Sequence, residues 1–253
     1  QFKEITDHID LKEMMALKEP IGDIVDRLDN PDMFGFSSYV WNFNYNIELS
    51  RRIKERYPNC KIVFGGPHIN RKTLGDYPHI DAIIIAEAEL SFKSLLEDLI
   101  VDDVQAVYER ERIDNLDILP SPYATGMFNK LIESHPELVW AATLETNRGC
   151  PYSCTFCDWG SLTASKVQKM TLDRLQDDID WIKSKPNLVQ INIADANFGI
   201  FKQRDLDAAK IIRQAIDDGN VDEIQLSYTK KFNKELYDII LLLNQPTGFQ
   251  ISL

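Results

Sequence analysis

Three of the four cysteines fall in the run Arg148-Gly149-Cys150-Pro151-Tyr152-Ser153-Cys154-Thr155-Phe156-Cys157, with the spacing C-x3-C-x2-C. Thiolates this close repel one another unless a metal takes up their charge. Gly149 and Pro151 suit a tight loop wrapped around one. Zinc is one such metal. A structural zinc site closes with four ligands, and no further Cys or His stands close by in sequence. A [4Fe–4S] cluster is usually held by four cysteines. Three leave one iron open to a small chelating ligand. The fourth cysteine, Cys60, stands alone at the start of a strand-like run and reads as a small hydrophobe rather than a ligand.

The elements that must carry this loop alternate along the whole chain. Phe2–Ile9 reads as a strand, residues 20–30 as a helix, and Met33–Ser38 as a short apolar strand buried on both faces. Tyr45, Leu49, Ile53 and Tyr57 recur at helical spacing, and Pro58-Asn59 stops that helix. Lys61–Phe64 and Ala82–Ile85 are strands, and a helix follows over Ser91–Ile100. This order predicts an α/β, doubly wound parallel sheet of Rossmann-like type over 1–103. Residues 104–138, with Leu119-Pro120-Ser121-Pro122, read as a linker. From 139 the alternation resumes. Strands are expected at Trp140–Thr146, Val189–Ile193, Ile224–Tyr228 and Phe249–Leu253. Helices are marked by Leu172/Leu175/Ile179/Ile182, by Leu206/Ala209/Ile212/Ile216 ending at Gly219, and by Leu236/Ile239/Ile240/Leu243. Three βα units and a strand are the first part of a (β/α) barrel over 139–253. The chain starts at Gln1 and ends in a strand-like run, so truncation at both ends is expected.

In sheets of this kind ligands sit outside the carboxyl ends of the strands. Three such ends in the first half are equipped for it: Ser37-Ser38-Tyr39-Val40-Trp41-Asn42, Gly65-Gly66-Pro67-His68 and Ala86-Glu87-Ala88-Glu89. His68 and His79 read as surface loop residues, not metal ligands.

The net charge is −12 and no basic patch is visible, which argues against nucleic acid as a partner. No apolar run approaches the ~18 residues of a membrane span. The sparse cysteines point to reduced thiols and the cytoplasm rather than a disulfide scaffold.

C-x3-C-x2-C with Phe156 before the last cysteine resembles the signature of the radical S-adenosylmethionine superfamily. The resemblance implies a [4Fe–4S] cluster on Cys150, Cys154 and Cys157 in the loop after the first barrel strand. Its open iron would chelate S-adenosylmethionine, whose reductive cleavage yields a 5′-deoxyadenosyl radical. Phe156 would pack near the adenine. Asp195 and Asn197 stand where the family meets the methionine amino group, although the usual Gly-Gly-Glu wording is absent. Tyr228, at the third strand's end, either lines the cavity or packs. The loops of the first half resemble the cobalamin-binding domain that precedes the barrel in one subclass, with its first βα unit missing here. The implied cobalamin contacts are Ser37, Ser38, Tyr39, Trp41, Asn42, Gly65, Gly66, Pro67, Glu87 and Glu89. Alanines 86 and 88 replace the glycines usual around those glutamates, and the Asp-x-His-x-x-Gly cobalt-ligating motif is absent. The subclass implies methyl transfer to an unactivated carbon of a small-molecule or peptide substrate, fed by an electron donor such as flavodoxin or ferredoxin. Radical cyclisation or rearrangement without methyl transfer, and a non-catalytic corrinoid-binding module, are the competing readings. A methylthiotransferase would need three further cysteines in the first half, where only Cys60 stands.

Overall fold

The computed structural model describes residues 8–12, 14–109, 111–152, 154, 155, 157 and 167–243. Two expected strands are not among its elements: Phe2–Ile9 lies outside the described residues except His8 and Ile9, which form no strand, and Phe249–Leu253 lies wholly outside. The chain divides into two compact units, Gln1–Ile113 and Asp114–Leu253, with the boundary inside the stretch read as a linker.

In the first unit, helix α1 (Ile21–Arg27) precedes strand β1 (Met33–Ser37), helix α2 (Phe43–Arg56), strand β2 (Lys61–Gly65), the short helix α3 (Lys72–Asp76), strand β3 (Ala82–Ile84), helix α4 (Glu89–Ile100) and strand β4 (Val107–Tyr108). The four strands are parallel, in the order β1-β2-β3-β4. Side chains alternate between the faces of a strand, and here both faces are covered. Ile62, Phe64 and Ile83 pack against Leu49 and Ile53 of α2. Val63, Ala82 and Ile84 pack against Leu95 of α4. Burial on both faces is why these strands read as unbroken apolar runs. Each fully buried Ile or Phe contributes about 1.5–3 kcal/mol. The two-residue β4 has no sequence pattern of its own. It is a strand because Ile83 N donates to Ala106 O and Ile85 N to Tyr108 O, each at 3.0 Å.

The second unit opens with a 3-10 turn (Leu116–Ile118) and helix α5 (Asn129–Ser134). Strand β5 (Trp140–Leu144) follows, then a two-stranded antiparallel ribbon of β6 (Asn147–Arg148) and β7 (Gln168–Lys169) that brackets the cysteine loop. Helix α6 (Leu172–Lys183), strand β8 (Leu188–Phe198), helix α7 (Gln203–Asp217), strand β9 (Glu223–Tyr228) and helix α8 (Lys234–Leu243) complete it. The parallel sheet runs β5-β8-β9. One core joins Ala142, Leu144, Ile191 and Ile193 to Ile179, Ile212 and Ile239, one apolar side chain from each of the three main helices. Two differences from the sequence reading matter for function. Strand β5 stops at Leu144, with Asn147 and Arg148 turned into the ribbon. Strand β8 runs on to Phe198, with its register against β9 shifting between Ile193 and Phe198. Such irregularities bend a strand and re-aim its side chains, and Asp195 and Asn197 lie inside this one. Among the described residues no helix is long and apolar enough to cross a membrane.

Candidate functional site

Cys150 is buried and Cys154 and Cys157 are half-buried, all three as free thiols. The loop enters through Gly149, whose φ of 109° is unfavourable to any side chain. Cys157 N donates to Cys154 O at 3.2 Å, closing a turn between the last two cysteines. Two side chains reach the sulfurs from the neighbouring strands. Asn197 Nδ2 lies 3.2 Å from Cys150 Sγ. Lys230, just past the end of β9, places Nζ 3.2 Å from Cys154 Sγ and 5.7 Å from the Tyr152 ring centroid. The hydrogen bond to Cys154 holds the ammonium above the ordinary lysine range. Among the described residues no three His, Cys, Asp or Glu side chains meet as ligands of one metal ion. In a four-iron cluster each cysteine takes its own iron, so its ligands need not meet at one point. Three soft sulfurs with a facing cation and an amide donor fit such a group.

Beside the loop lies a buried polar frame. Asp195 is 2% exposed. Its Oδ1 accepts from Thr146 N at 2.7 Å and Asn147 N at 3.1 Å, and its Oδ2 from Thr146 Oγ1 and Asn147 Nδ2 at 2.5 Å each. A carboxylate offers about four acceptor positions, and four donors of the β5–β6 connection occupy them. The expectation that Asp195 meets a ligand amine therefore changes in kind: its carboxylate locks the chain that leads into the cysteine loop. Burial pushes its carboxyl up to about 6, against the pull of those hydrogen bonds. Arg204 completes the frame. It donates to Thr146 Oγ1 at 2.9 Å, and to Thr146 O and Met170 O at 2.8 Å each, so one guanidinium ties the residues just before β6 and just after β7 to α7. It also pairs with Asp205 at 2.9 Å. Asp205 Oδ2 in turn accepts from Gly199 N and Phe201 N at 2.9 Å each, holding the turn after β8. Tyr228 is half-buried, and burial raises its phenol to about 12. Phe156 lies outside the described residues.

In the first unit the equipped loops stand side by side, because parallel strands bring their carboxyl ends to one edge. Ser38 is fully buried. Its N donates to Gly65 O at 2.8 Å, and its O accepts from His68 N at 3.2 Å. Asn46 Nδ2 donates to Ser38 Oγ at 3.0 Å. Asn42 ties the loop from both ends: its Nδ2 donates to Ser37 O at 3.0 Å and its Oδ1 accepts from Tyr39 N at 2.8 Å. That leaves Trp41 75% exposed, stacked on Tyr39 with ring centroids 4.6 Å apart. Gly66 takes φ 101°, and a Cβ there would lie 2.6 Å from Ser38 O, so these two loops fit only with glycine. Pro67 and His68 are exposed, with His68 against the Phe43 ring at 4.5 Å. Ala86 adopts φ 66°, the left-handed conformation glycine would favour, and Ala88 stands at the cap before α4 with φ −105° and ψ −12°. Of these two alanines only Ala86 takes a left-handed conformation. His79 is half-buried against Ser50, Oγ to Nε2 2.8 Å, and that burial lowers its imidazole.

The B12 binding domain family matches residues 3–96. The cobalamin-dependent radical SAM methyltransferase TokK of Streptomyces tokunonensis is 34% identical, covering 94% of this chain and 38% of that protein. The chain belongs to the radical S-adenosylmethionine superfamily, in its subclass with an N-terminal cobalamin-binding domain. A second relative of this radical S-adenosylmethionine chain is the 2-(S-pantetheinyl)-carbapenam-3-carboxylate methyltransferase of Streptantibioticus cattleyicolor, 32% identical over 91% of the chain and 37% of that protein. A third, the hopanoid C-3 methylase of Methylococcus capsulatus, is 28% identical over 69% and 37%. The chain thus spans well under half the length of these relatives. The fold matches that of the methyltransferase TsrM of Kitasatospora setae, solved with cobalamin and a [4Fe–4S] cluster bound, with a TM-score of 0.58 over 88% of this chain at 13% identity. Lys230, Arg204, Thr146 and Asn147 escaped the sequence reading of this superfamily member. The run Thr146-Asn147-Arg148 directly before the cysteines was the one signal that could have drawn attention to the frame.

Proposed function

We propose that the protein containing this chain is a cobalamin-dependent radical S-adenosylmethionine methyltransferase acting on an unactivated carbon of a small molecule. The observation that carries this reading is the convergence of Asn197 and Lys230, from the ends of β8 and β9, on the sulfurs of a C-x3-C-x2-C loop at the end of β5. It stands downstream of a matched B12-binding domain. The names of the relatives favour methyl transfer over cyclisation. Cys150, Cys154 and Cys157 would hold the cluster, with Phe156, Asn197 and Tyr228 lining the S-adenosylmethionine site. Bound there, the cluster would supply the single electron that cleaves S-adenosylmethionine, while cobalamin would carry the methyl group.

The chain's own residues position and shield. Asp195 and Arg204 fix the approach to the loop, and Gly66, Ser38 and Asn42 shape the cobalamin edge. Ser37, Tyr39, Trp41, Gly65, Pro67, Glu87 and Glu89 complete that edge. The reading places the cobalamin-binding domain over 1–103, its connection over 104–138 and the barrel from 139. It also places the protein in the cytoplasm, with flavodoxin or ferredoxin as the electron donor. Four free cysteines support a reducing compartment.

The test uses the full-length protein, purified without oxygen and reconstituted with iron and sulfide. The reduced protein is expected to show a [4Fe–4S] paramagnetic resonance signal that shifts on adding S-adenosylmethionine and is lost in Cys154→Ala. Added cobalamin is expected to change its visible spectrum on binding. A wild-type protein without a cluster, or with one indifferent to S-adenosylmethionine, would sink the radical reading.

A further inference from the structure

Hydrogen bonds to sulfur, net charge and solvent exposure set the potential of an iron–sulfur cluster, and this loop meets the first two from outside itself. The donors at Cys150 and Cys154 are chemically unlike. Asn197 is neutral and 2% exposed, on the irregular end of β8. Lys230 is a cation on an exposed residue beyond β9. Neither belongs to the cysteine motif.

We propose that Asn197 and Lys230 raise the reduction potential of the cluster held by Cys150, Cys154 and Cys157, Asn197 through a screened-off amide–sulfur hydrogen bond and Lys230 through its charge. The inference rests on the cluster reading above. Reduction of the cluster from the 2+ to the 1+ state takes one electron from an external reductant, with no proton taken up and no bond made or broken. The added negative charge is shared by iron and sulfur. A donor or cation touching the cysteine sulfur therefore stabilises the reduced state more than the oxidised one. Losing either contact is expected to lower the ratio of reduced to oxidised cluster, at a fixed applied potential, on the order of tenfold, or 59 mV for a one-electron couple. The two contributions separate by salt. An exposed charge is screened once the Debye length falls to a few ångström near 1 M salt, and a buried neutral hydrogen bond is not.

The experiment is a dithionite titration of the full-length, reconstituted protein, with the reduced cluster followed by electron paramagnetic resonance at low salt and near 1 M salt. Wild type is compared with Lys230→Met, Lys230→Arg and Asn197→Leu. Iron and sulfide content is measured first. Absence of a cluster in wild type overturns the cluster reading itself, separately from the tuning. With clusters loaded, Lys230→Met is expected to shift about tenfold toward the oxidised form at low salt and to approach wild type at high salt. Lys230→Arg is expected to restore the wild-type value. Asn197→Leu is expected to shift in the same direction at both salts. A wild-type potential in Lys230→Met overturns the assignment to Lys230, and one in Asn197→Leu the assignment to Asn197. A Lys230→Met shift that arginine does not restore and salt does not shrink overturns the assignment to charge. Should Asn197→Leu disturb its buried surroundings and lose the cluster, Asn197→Ser, smaller and too short to reach the sulfur, takes its place in the titration with the same expected shift.

Discussion

Replacing Gly66 by alanine strikes the closest contact in the proposed cobalamin edge. The new Cβ would lie 2.6 Å from Ser38 O and 2.7 Å from Ser38 N, both backbone atoms that no rotamer change can relieve. The backbone at φ 101° is itself unfavourable to alanine, at about 1–3 kcal/mol. Relief requires the Ser38 and Gly66 loops to part, which loosens Ser38 N→Gly65 O and His68 N→Ser38 O, at about 1 kcal/mol each. The reduced freedom of the unfolded alanine chain returns about 0.4–1 kcal/mol. The net loss is about 3 kcal/mol, which for a unit of this size lowers its melting temperature by roughly 10 °C. Calorimetry of the full-length protein reads that shift, and a cobalamin titration by visible absorbance is expected to show weakened binding. Gly22→Ala is the control. It sits in α1 with nothing within 4 Å of its added Cβ, so it should gain up to about 1 kcal/mol from helix propensity alone. A Gly66→Ala protein that melts with wild type and binds cobalamin equally well would refute the argument that these loops need glycine.

Asp195 makes stability fall as pH rises. Its folded carboxyl, at about 6, lies above the ordinary 3.8, so between those values the folded state holds the proton more tightly. Stability from this group is complete below about 4 and lost by just above 6, up to about 3 kcal/mol. Urea midpoints across that range should show a downward slope that Asp195→Asn flattens, and an unchanged slope in the variant would count against the assignment. Arg204→Met removes the charged partner of the fully buried Asp205 and the tie between Thr146 and Met170 at the open end of the ribbon. A loss of about 3–5 kcal/mol is expected in chemical unfolding, and a loss under 1 kcal/mol would show that the frame does not hold the loop.

What the sequence determined by itself was local. The cysteine spacing, the apolar runs of β2 and β3, and the helical periodicities of α2, α6, α7 and α8 are each written in a few neighbouring residues, and the strand and helix patterns sufficed for the fold class. Tertiary structure decided whatever depends on partners distant in the chain. Val107–Tyr108 is a strand only because β3 offers it an edge to pair with. The end of β8 stays extended through Asp195 because β9 pairs with it again at Phe198. Asp195 grips Thr146 and Asn147 from 49 and 48 residues away, and Lys230 meets Cys154 across 76. A buried carboxylate gathers whatever donors folding brings within reach, and an ammonium the nearest sulfur. No spacing along the chain encodes either choice, because both follow from the closing of parallel strands around one core.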